Sequence, residues 1–598
     1  MLNFLPKQLF MIDPLAIFFL IVIGLVCIPS AIFSIGYMQG ESAKKKVIGW
    51  SLLVIFTMSM CMVVTSGNLL SFLIFWEIMS LASYFLVVFD FKHEKAVRAG
   101  TIYLIMTHIG TACIMAAFFM LYNCAGSFDF NVLKQAVTSL PPQVANIVFL
   151  LLFVGFATKA GVVPMHVWLP YAHPEAPSHI SSIMSGVMIK IAIYGMIRFF
   201  ITLLGPGPAW WGVLIMGFGM ISCLVGVIYA LMDQKLKKLL AYSSVENIGI
   251  ILLGVGAAMF FGSIGIAAVA VLSLCAGLYH IVNHALFKGL LFLCAGSVLK
   301  TTLLHDMEKM GGLIKAMPAT GLLFLVGAMG ISALPPFNGF VSEWLTFQAF
   351  FSGVLQSQGG VKFFMVLSAA VLALTSGLAA ACFVKAFGIA FLAMPRSARA
   401  KEAKEASLSM RAGMAILAAG VVLFGIGAGF IAPLIFNVAR GVFSAESIQG
   451  SFYFVSILPP AIAILMLAMG GLIFLWFKFG LRTKQTSYNT WDCGYYNLNS
   501  RNEYTGTAFS KPFRIAFSFF LLPYRKSEKI RDSFYHVRKF TYETHTTMVF
   551  KNYFYQPLTR FVYSTASKMK KLQPGSIHLY IFYIFITLAI LLAVTAAF

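Results

Sequence analysis

Apolar runs long enough to cross a hydrocarbon layer recur from one end of the chain to the other. About eighteen consecutive apolar residues carry a helix across roughly 30 Å. The pattern predicts such helices over 13–38, 48–65, 67–89, 98–122, 146–163, 177–203, 209–231, 239–260, 264–299, 317–355, 363–394, 410–436, 452–479 and 577–597. Membrane β-strands would alternate over about ten residues instead, and no run in the sequence does so. The expected fold is therefore an all-α polytopic membrane protein with about 14 transmembrane helices. The first run is too long for a signal peptide, lacks a small-residue cleavage site and leads directly into Lys44, Lys45 and Lys46, so it reads as a retained helix.

Two runs carry their own interruptions. Pro164 follows Thr158-Lys159-Ala160-Gly161, and Pro335-Pro336 follows Ala333-Leu334. Proline removes a helix donor and clashes with the preceding turn, so both helices are expected to break there. Each break has an ionisable residue nearby, Lys159 in one and Glu343 in the other. Broken helices at corresponding places in two halves are the mark of transporters built from inverted repeats, with the site near mid-membrane. Proline kinks without function are the plainer alternative. On this pattern the chain divides into a first helix and loop (1–47), two half-channel repeats (48–205 and 206–400), two further helices (401–479), a basic lateral segment (480–576) and an anchor helix (577–598).

Composition closes off other classes. The sequence is 60% hydrophobic and 11% charged, whereas soluble domains are roughly a quarter charged. Nine cysteines lie singly, with no CxxC pair, no Walker A loop and no GxGxxG. No metal, nucleotide or redox cofactor is therefore expected in this chain. The net charge of +23 is gathered in alternate loops: Lys44 to Lys46; Lys92, Lys95 and Arg98; Lys235, Lys237 and Lys238; Lys300, Lys309 and Lys315; 396–411; and everything after Lys478. The other loops hold isolated charges such as Lys7, Lys134, Arg198, Lys362 and Arg440. Lysine and arginine accumulate on the cytoplasmic side, so both termini are expected outside. Within 480–576, basic and aromatic residues mix at roughly helical spacing over 525–551, as in a helix lying on a membrane surface, punctuated by Pro512, Pro523, Pro557 and Pro574. Attachment to anionic lipid and docking of a partner both fit this segment.

Against that background some charges stand where they are costly. A charge at the bilayer centre costs about 2.5–3.5 kcal/mol on insertion scales. Glu77, Lys159, Lys190, Lys288, Glu343 and Lys385 all sit inside apolar runs. His280, His284 and Lys288 recur every four residues, on one helical stripe in steps of about 6 Å. A lone histidine on such a face is usually a satisfied core residue, but three titratable groups in register point to a proton relay. Burial favours a neutral lysine and a nearby carboxylate favours a charged one. A changing separation of Glu77 and Lys159 would then load or unload a proton, the bland alternative being a static ion pair that fixes packing.

At these residues the chain resembles the antiporter-like proton-translocating subunits of respiratory complex I and of the Mrp cation antiporters. The likeness is carried over about residues 13–440 by WEIMSLASYFLV, TKAGVVPMHVWLPYAHPEAPSHISSIMSGVMIKIAIYGMIR, KKLLAYSSVENIGIILLG, YHIVNHALFKGLLFLCAGSV and ALPPFNGFVSEW. LAYSSVENIGIILLG, PPFNGFVSEW and TWDCGY are closer to the hydrogenase-4 and formate hydrogenlyase branch, the membrane-bound nickel–iron hydrogenases. The resemblance implies that Glu77 modulates Lys159, the lysine of the first broken helix. It implies that Lys190 connects onward, that Lys237 or Lys238 continues the row, and that His280, His284 and Lys288 lead to Glu343. Lys385 matches a lysine of the hydrogenase branch. The run beginning MIDPLAIFF resembles the family's third helix, which makes the usual first two absent, and the C-terminal pattern resembles a lateral helix with its anchor.

The implied function is proton translocation within an energy-converting redox complex, most of all a membrane-bound hydrogenase. The partners implied are other membrane subunits and peripheral hydrogenase and iron–sulfur subunits that carry the nickel–iron centre and the iron–sulfur clusters; nucleic acid is not among them. The equivalent subunit of a complex I relative or of a Mrp-type sodium/proton antiporter is the alternative. A self-sufficient transporter of organic solutes would need a roomy site rather than a thread of titratable residues.

Overall fold

The computed structural model describes residues 8–443, 452–480, 490–532, 536–570 and 575–597. They form two compact units, Met1–Pro512 and Phe513–Phe598. In the first unit the helices, in chain order, are α1 (Pro14–Tyr37), α2 (Ala43–Thr65), α3 (Leu69–Val87), α4 (Glu94–Ala125), α5 (Pro142–Ala160), the short α6 (Leu169–Glu175), α7 (Ser178–Leu203), α8 (Ala209–Met232), α9 (Leu236–Ser263) and α10 (Ala267–Thr302). They continue with α11 (Pro318–Ile331), α12 (Asn338–Gln356), α13 (Gly359–Phe391), α14 (Leu408–Ile426), α15 (Ala428–Val442) and α16 (Phe452–Leu475). Among the described residues twelve helices are long and apolar enough to cross a membrane, and three more apolar helices are shorter. The protein is an integral membrane protein.

Burial sorts these helices. The apolar windows of α7 and α9 are 94% buried and that of α10 is 100% buried, whereas those of α2 and α4 are 39% buried. The outer helices turn Ile74, Leu81, Ile105 and Ile109 outwards, as lipid as solvent requires. Small residues bring the inner helices together. A Cβ added at Gly212 of α8 would stand 2.6 Å from the Gly256 carbonyl of α9, and one at Gly249 of α9 would stand 2.6 Å from the Cys223 amide of α8. This is the close approach that small-residue interfaces permit in membranes, where apolar side chains gain little by leaving lipid.

Both proline-bearing runs are divided. The 146–163 run ends as helix at Ala160, passes Gly161 in the left-handed region (φ 81°) and resumes in the 3₁₀ turn Met165–Trp168 and α6. The 317–355 run becomes α11 and α12 on either side of Pro335-Pro336. A third run, predicted whole over 410–436, is also divided, into α14 and α15 with Gly427 between them.

The second unit departs from the surface helix expected over 525–551. Its β1 (Tyr524–Arg531) and β2 (Val537–His545) pair antiparallel as a two-stranded hairpin. Val537, Phe540, Thr541, Tyr542 and Thr544 are β-branched or aromatic strand formers, and Phe540 and Tyr542 stack on one face with centroids 6.5 Å apart, a period of two rather than 3.6. Helical structure follows in α17 (Gln556–Lys570), which carries Lys568 and Lys570 in its last turn, and in α18 (Ile577–Ala597). Pro574 lies outside the described residues.

Candidate functional site

Lys159 is buried in the last turn of α5, beside the first break. Its Nζ donates to Ser80 Oγ of α3 at 2.8 Å and to Tyr103 OH of α4 at 2.7 Å, and it lies 5.0 Å from the Tyr103 ring and 5.9 Å from that of Trp76. Glu77 is not in contact with it. The Glu77 carboxylate, 28% exposed, meets His108 Nε2 of α4 at 3.4 Å on the outer face, where the His108 side chain is 48% exposed. A direct Glu77–Lys159 ion pair is thus absent among the described residues. The helical step from Glu77 to Ser80 explains why: the hydroxyl faces inward while the carboxylate, three residues earlier, sits towards the edge of the same face.

A second group joins α7, α9 and α10. Lys190 follows the π-helical turns Met184–Met188 and donates to the Ser185 carbonyl. Ser185 Oγ and Ser244 Oγ of α9 are 2.7 Å apart, and Ser244 in turn donates to the Leu240 carbonyl at 2.9 Å. That same carbonyl accepts from Lys288 Nζ at 2.9 Å, and Lys288 also donates to Ser243 Oγ. Lys190 and Lys288 are therefore brought into one buried polar cluster through Ser185, which meets Lys190 with its carbonyl and Ser244 with its hydroxyl, and through the Leu240 carbonyl, which accepts from both Ser244 and Lys288. Along α10 the row continues through His284, whose two ring nitrogens have no protein partner, to His280, with the rings nearly parallel (6°) at 6.5 Å. His280 reaches Ser342 Oγ of α12 at 2.9 Å and Asn247 Oδ1 of α9 at 3.2 Å. The next residue, Glu343, is buried and accepts from Ser376 of α13.

The remaining lysines end helices. Lys237 Nζ donates to the carbonyls of Pro174 (3.0 Å) and Ala176 (2.5 Å), at the C-terminus of α6. Lys385 donates to those of Leu231 and Asp233, both at 2.7 Å, at the C-terminus of α8. Both contacts place a cation where helix-end carbonyls point and the macrodipole is negative. Lys238, adjacent to Lys237, turns to the rim and pairs with Asp233 at 2.8 Å. Among the described residues no cluster of three or more histidine, cysteine or acidic side chains is arranged to hold a metal ion.

The chain matches the family model described as "NADH:quinone oxidoreductase/Mrp antiporter, TM" over residues 66–375, and "NADH-Ubiquinone oxidoreductase (complex I), chain 5 N-terminus" over 7–46. It is 38% identical to hydrogenase-4 component B of Escherichia coli (strain K12), covering 98% of this chain and 88% of the relative. The chain belongs to the antiporter-like subunit family. Formate hydrogenlyase subunit 3 of the same bacterium is 36% identical over 71% of this chain and 68% of its own. Among solved structures, a chain of the archaeal membrane-bound sulfane sulfur reductase has the same fold, with a TM-score of 0.79, 23% identity and coverage of 98% of this chain and 89% of that one.

Several residues in and around these groups were not among the path candidates read from the sequence. Tyr103, Ser80, Ser185 and Ser244 carry the lysine contacts, and a serine in an apolar helix gives little signal because it can satisfy itself on the carbonyl four residues back. Glu246 is 1% exposed in α9, and one of its carboxylate oxygens has no protein partner. Arg198, counted with the isolated loop charges, is instead buried in α7 and grips Asp13 with two hydrogen bonds, at 2.6 and 2.7 Å.

Proposed function

We propose that this chain is the proton-translocating membrane subunit of an energy-converting redox complex of the membrane-bound nickel–iron hydrogenase kind. The observation that carries the reading is the buried cluster that gathers Lys190 and Lys288 around Ser185, Ser244 and the Leu240 carbonyl, continued along one helix to His284 and His280. Lysine and histidine release and accept protons when burial brings their two forms close in free energy. Lys159 at the first break and Glu343 at the second stand at the two ends, with Glu77 tuning the first electrostatically rather than by contact. Identity to hydrogenase-4 component B over nearly the whole chain supports the hydrogenase assignment. In that setting other membrane subunits flank the chain, while peripheral subunits carry the nickel–iron and iron–sulfur centres.

The positive-loop rule places the chain in the cytoplasmic membrane with the hairpin on the cytoplasmic side and both termini outside. A cysteine at Ile530 is expected to react with an impermeant thiol reagent only in inverted vesicles; reaction in intact cells would reverse the orientation.

The transported ion is the proton. Sodium is a hard cation that requires several oxygens at one point, whereas lysine and histidine dominate this row and repel a metal cation when charged. Sealed vesicles holding the whole complex are expected to build a proton gradient equally with and without sodium. Transport that stops without sodium and survives a protonophore would favour the sodium/proton antiporter reading that the family name also covers.

A further inference from the structure

The second unit ends in two helices of different character. α18 is apolar throughout its 21 residues, long enough to span a hydrocarbon layer, and its apolar window is 0% buried. α17 is amphipathic: Leu558, Phe561, Val562 and Met569 fall on one stripe at helical spacing, with Arg560 and Lys568 turned away from it. Such a helix lies in the plane of a membrane surface, and the chain passes from it into the anchor.

Between the two helices opens a cleft of about 830 Å³, whose walls include Met569 and Lys570 of α17 and Tyr580, Tyr583 and Ile586 of α18. Its polar groups gather at one end. Lys570 is in the last turn of α17. The Tyr580 hydroxyl accepts from the Gly575 amide at 3.1 Å, which holds it at the level where the chain enters α18 and leaves its own hydrogen to donate. From Tyr580 the wall descends to Ile586, about 9 Å further along the helix axis. A cation and a hydroxyl donor thus stand over an apolar slot, at the depth where tyrosine marks a membrane interface. The chain offers Lys570 no counter-charge of its own nearby in sequence: after Glu543 it holds five lysines and arginines and no aspartate or glutamate.

From this geometry we infer that the corner between α17 and α18 is a binding site for an acidic phospholipid, with its phosphate on Lys570 and Tyr580 and an acyl chain in the slot beside Met569 and Ile586. Lysine binds phosphate as a point charge, and the buried acyl chain adds a contribution for every methylene taken from water or looser packing. A helix of a neighbouring subunit would cover the apolar walls, but would have to bring an acidic side chain to the same depth as Lys570. The lipid supplies anion and chain in one molecule, and the membrane presents it at high local concentration. The inference goes beyond the transport reading and holds whichever ion the chain moves.

The test places the whole complex in nanodiscs of phosphatidylcholine doped with a photoactivatable lipid, a diazirine in the upper part of its acyl chain, whose headgroup is either phosphatidylglycerol or phosphatidylcholine. Labelled peptides are then mapped by mass spectrometry. Label on α18 is expected to be at least about fivefold stronger with phosphatidylglycerol, the factor that one well-placed lysine contributes at a membrane surface. Lys570→Gln is expected to remove about that factor, and Tyr580→Phe about threefold through one lost hydrogen bond. Lys568→Gln takes away the same charge on the opposite side of α17 and is expected to stay within about twofold of the parent. Lys568 and Lys570 are both exposed, so neither substitution is expected to change subunit composition. Equal labelling by the two lipids would overturn the site. Equal losses in Lys568→Gln and Lys570→Gln would also overturn it, in favour of diffuse attraction of a basic segment. If a neighbouring subunit fills the cleft instead, α18 takes no lipid label and a photoreactive amino acid in place of Tyr583 captures that subunit, which overturns the site as well.

Discussion

Replacing Lys159 by methionine is expected to leave the complex assembled and to cut proton movement by at least about tenfold, a floor below the roughly 100- to 10,000-fold that a positioned acid or base usually contributes. Methionine keeps the length of the side chain and its apolar body, so the pocket stays filled. The groups that Lys159 leaves behind are not orphaned. Tyr103 OH keeps Ser83 Oγ at 2.6 Å, and Ser80 Oγ keeps the Trp76 carbonyl at 2.9 Å. Folding therefore loses little, and the only thing removed is a titratable amine at the break between α5 and α6. Glu77→Gln is expected to show a milder loss, roughly fivefold at most, because its carboxylate meets His108 at a half-exposed edge where a pair is worth about 0–1 kcal/mol. Proton uptake per electron pair in vesicles measures both. Near-parent coupling by Lys159→Met would reduce this lysine to a packing residue, and a loss in Glu77→Gln equal to that of Lys159→Met would mean that the two act as one unit.

The difference between these two substitutions shows what could be read from the sequence and what could not. Charges inside apolar runs marked Lys159, Lys190, Lys288 and Glu343 as ionisable groups inside the bundle, and all four are buried, because the cost of burying a charge is large and independent of the details of packing. Long apolar runs identified the helices for the same reason, and proline identified two of the divisions. Gly427 did not announce the third, since a glycine within a helix is destabilising by only about 1 kcal/mol and is often tolerated. Contacts were harder still. Which hydroxyl meets Lys159 depends on the rotation of α3 and α4 about their axes, and α3 and α4 are apolar on nearly every side, so hydropathy does not orient them. Lys237 and Lys385 look alike in sequence to the lysines of the row, yet their partners are helix-end carbonyls, which every helix possesses and no side-chain pattern marks. The hairpin was hidden by the opposite problem. Its arginines and lysines are so frequent that some fall at helical spacing, while the alternation that decides the matter lies in Phe540, Tyr542 and Thr544.

The largest loss of stability is expected from Asp13→Ala. Asp13 caps α1, accepting from the Ala16 amide at 2.8 Å, and its two oxygens take both terminal nitrogens of Arg198 at 2.6 and 2.7 Å. Arg198 also donates through Nε to Tyr194 OH at 3.1 Å, and Tyr194 OH donates to the Val64 carbonyl at the end of α2, at 2.7 Å. One carboxylate therefore ties α1, α2 and α7 together. The Arg198 side chain is 2% exposed and guanidinium does not deprotonate in proteins, so alanine leaves a buried cation without its counter-charge. Breaking such a pair costs about 3–5 kcal/mol, and the lost cap adds about 0.5–2 kcal/mol. Both exceed what most single substitutions do. Asp13→Asn keeps an acceptor for Ala16 and one for Arg198, and is expected to lose less. Asp13→Leu combined with Arg198→Leu removes both charges and is expected to be more stable than Asp13→Ala, since apolar replacement of a whole buried pair is often nearly neutral. The measurement is thermal unfolding of the purified complex in mild detergent, across the single and double variants. If Asp13→Ala melts with the parent, or if the double variant melts below it, the pair does not hold these helices together.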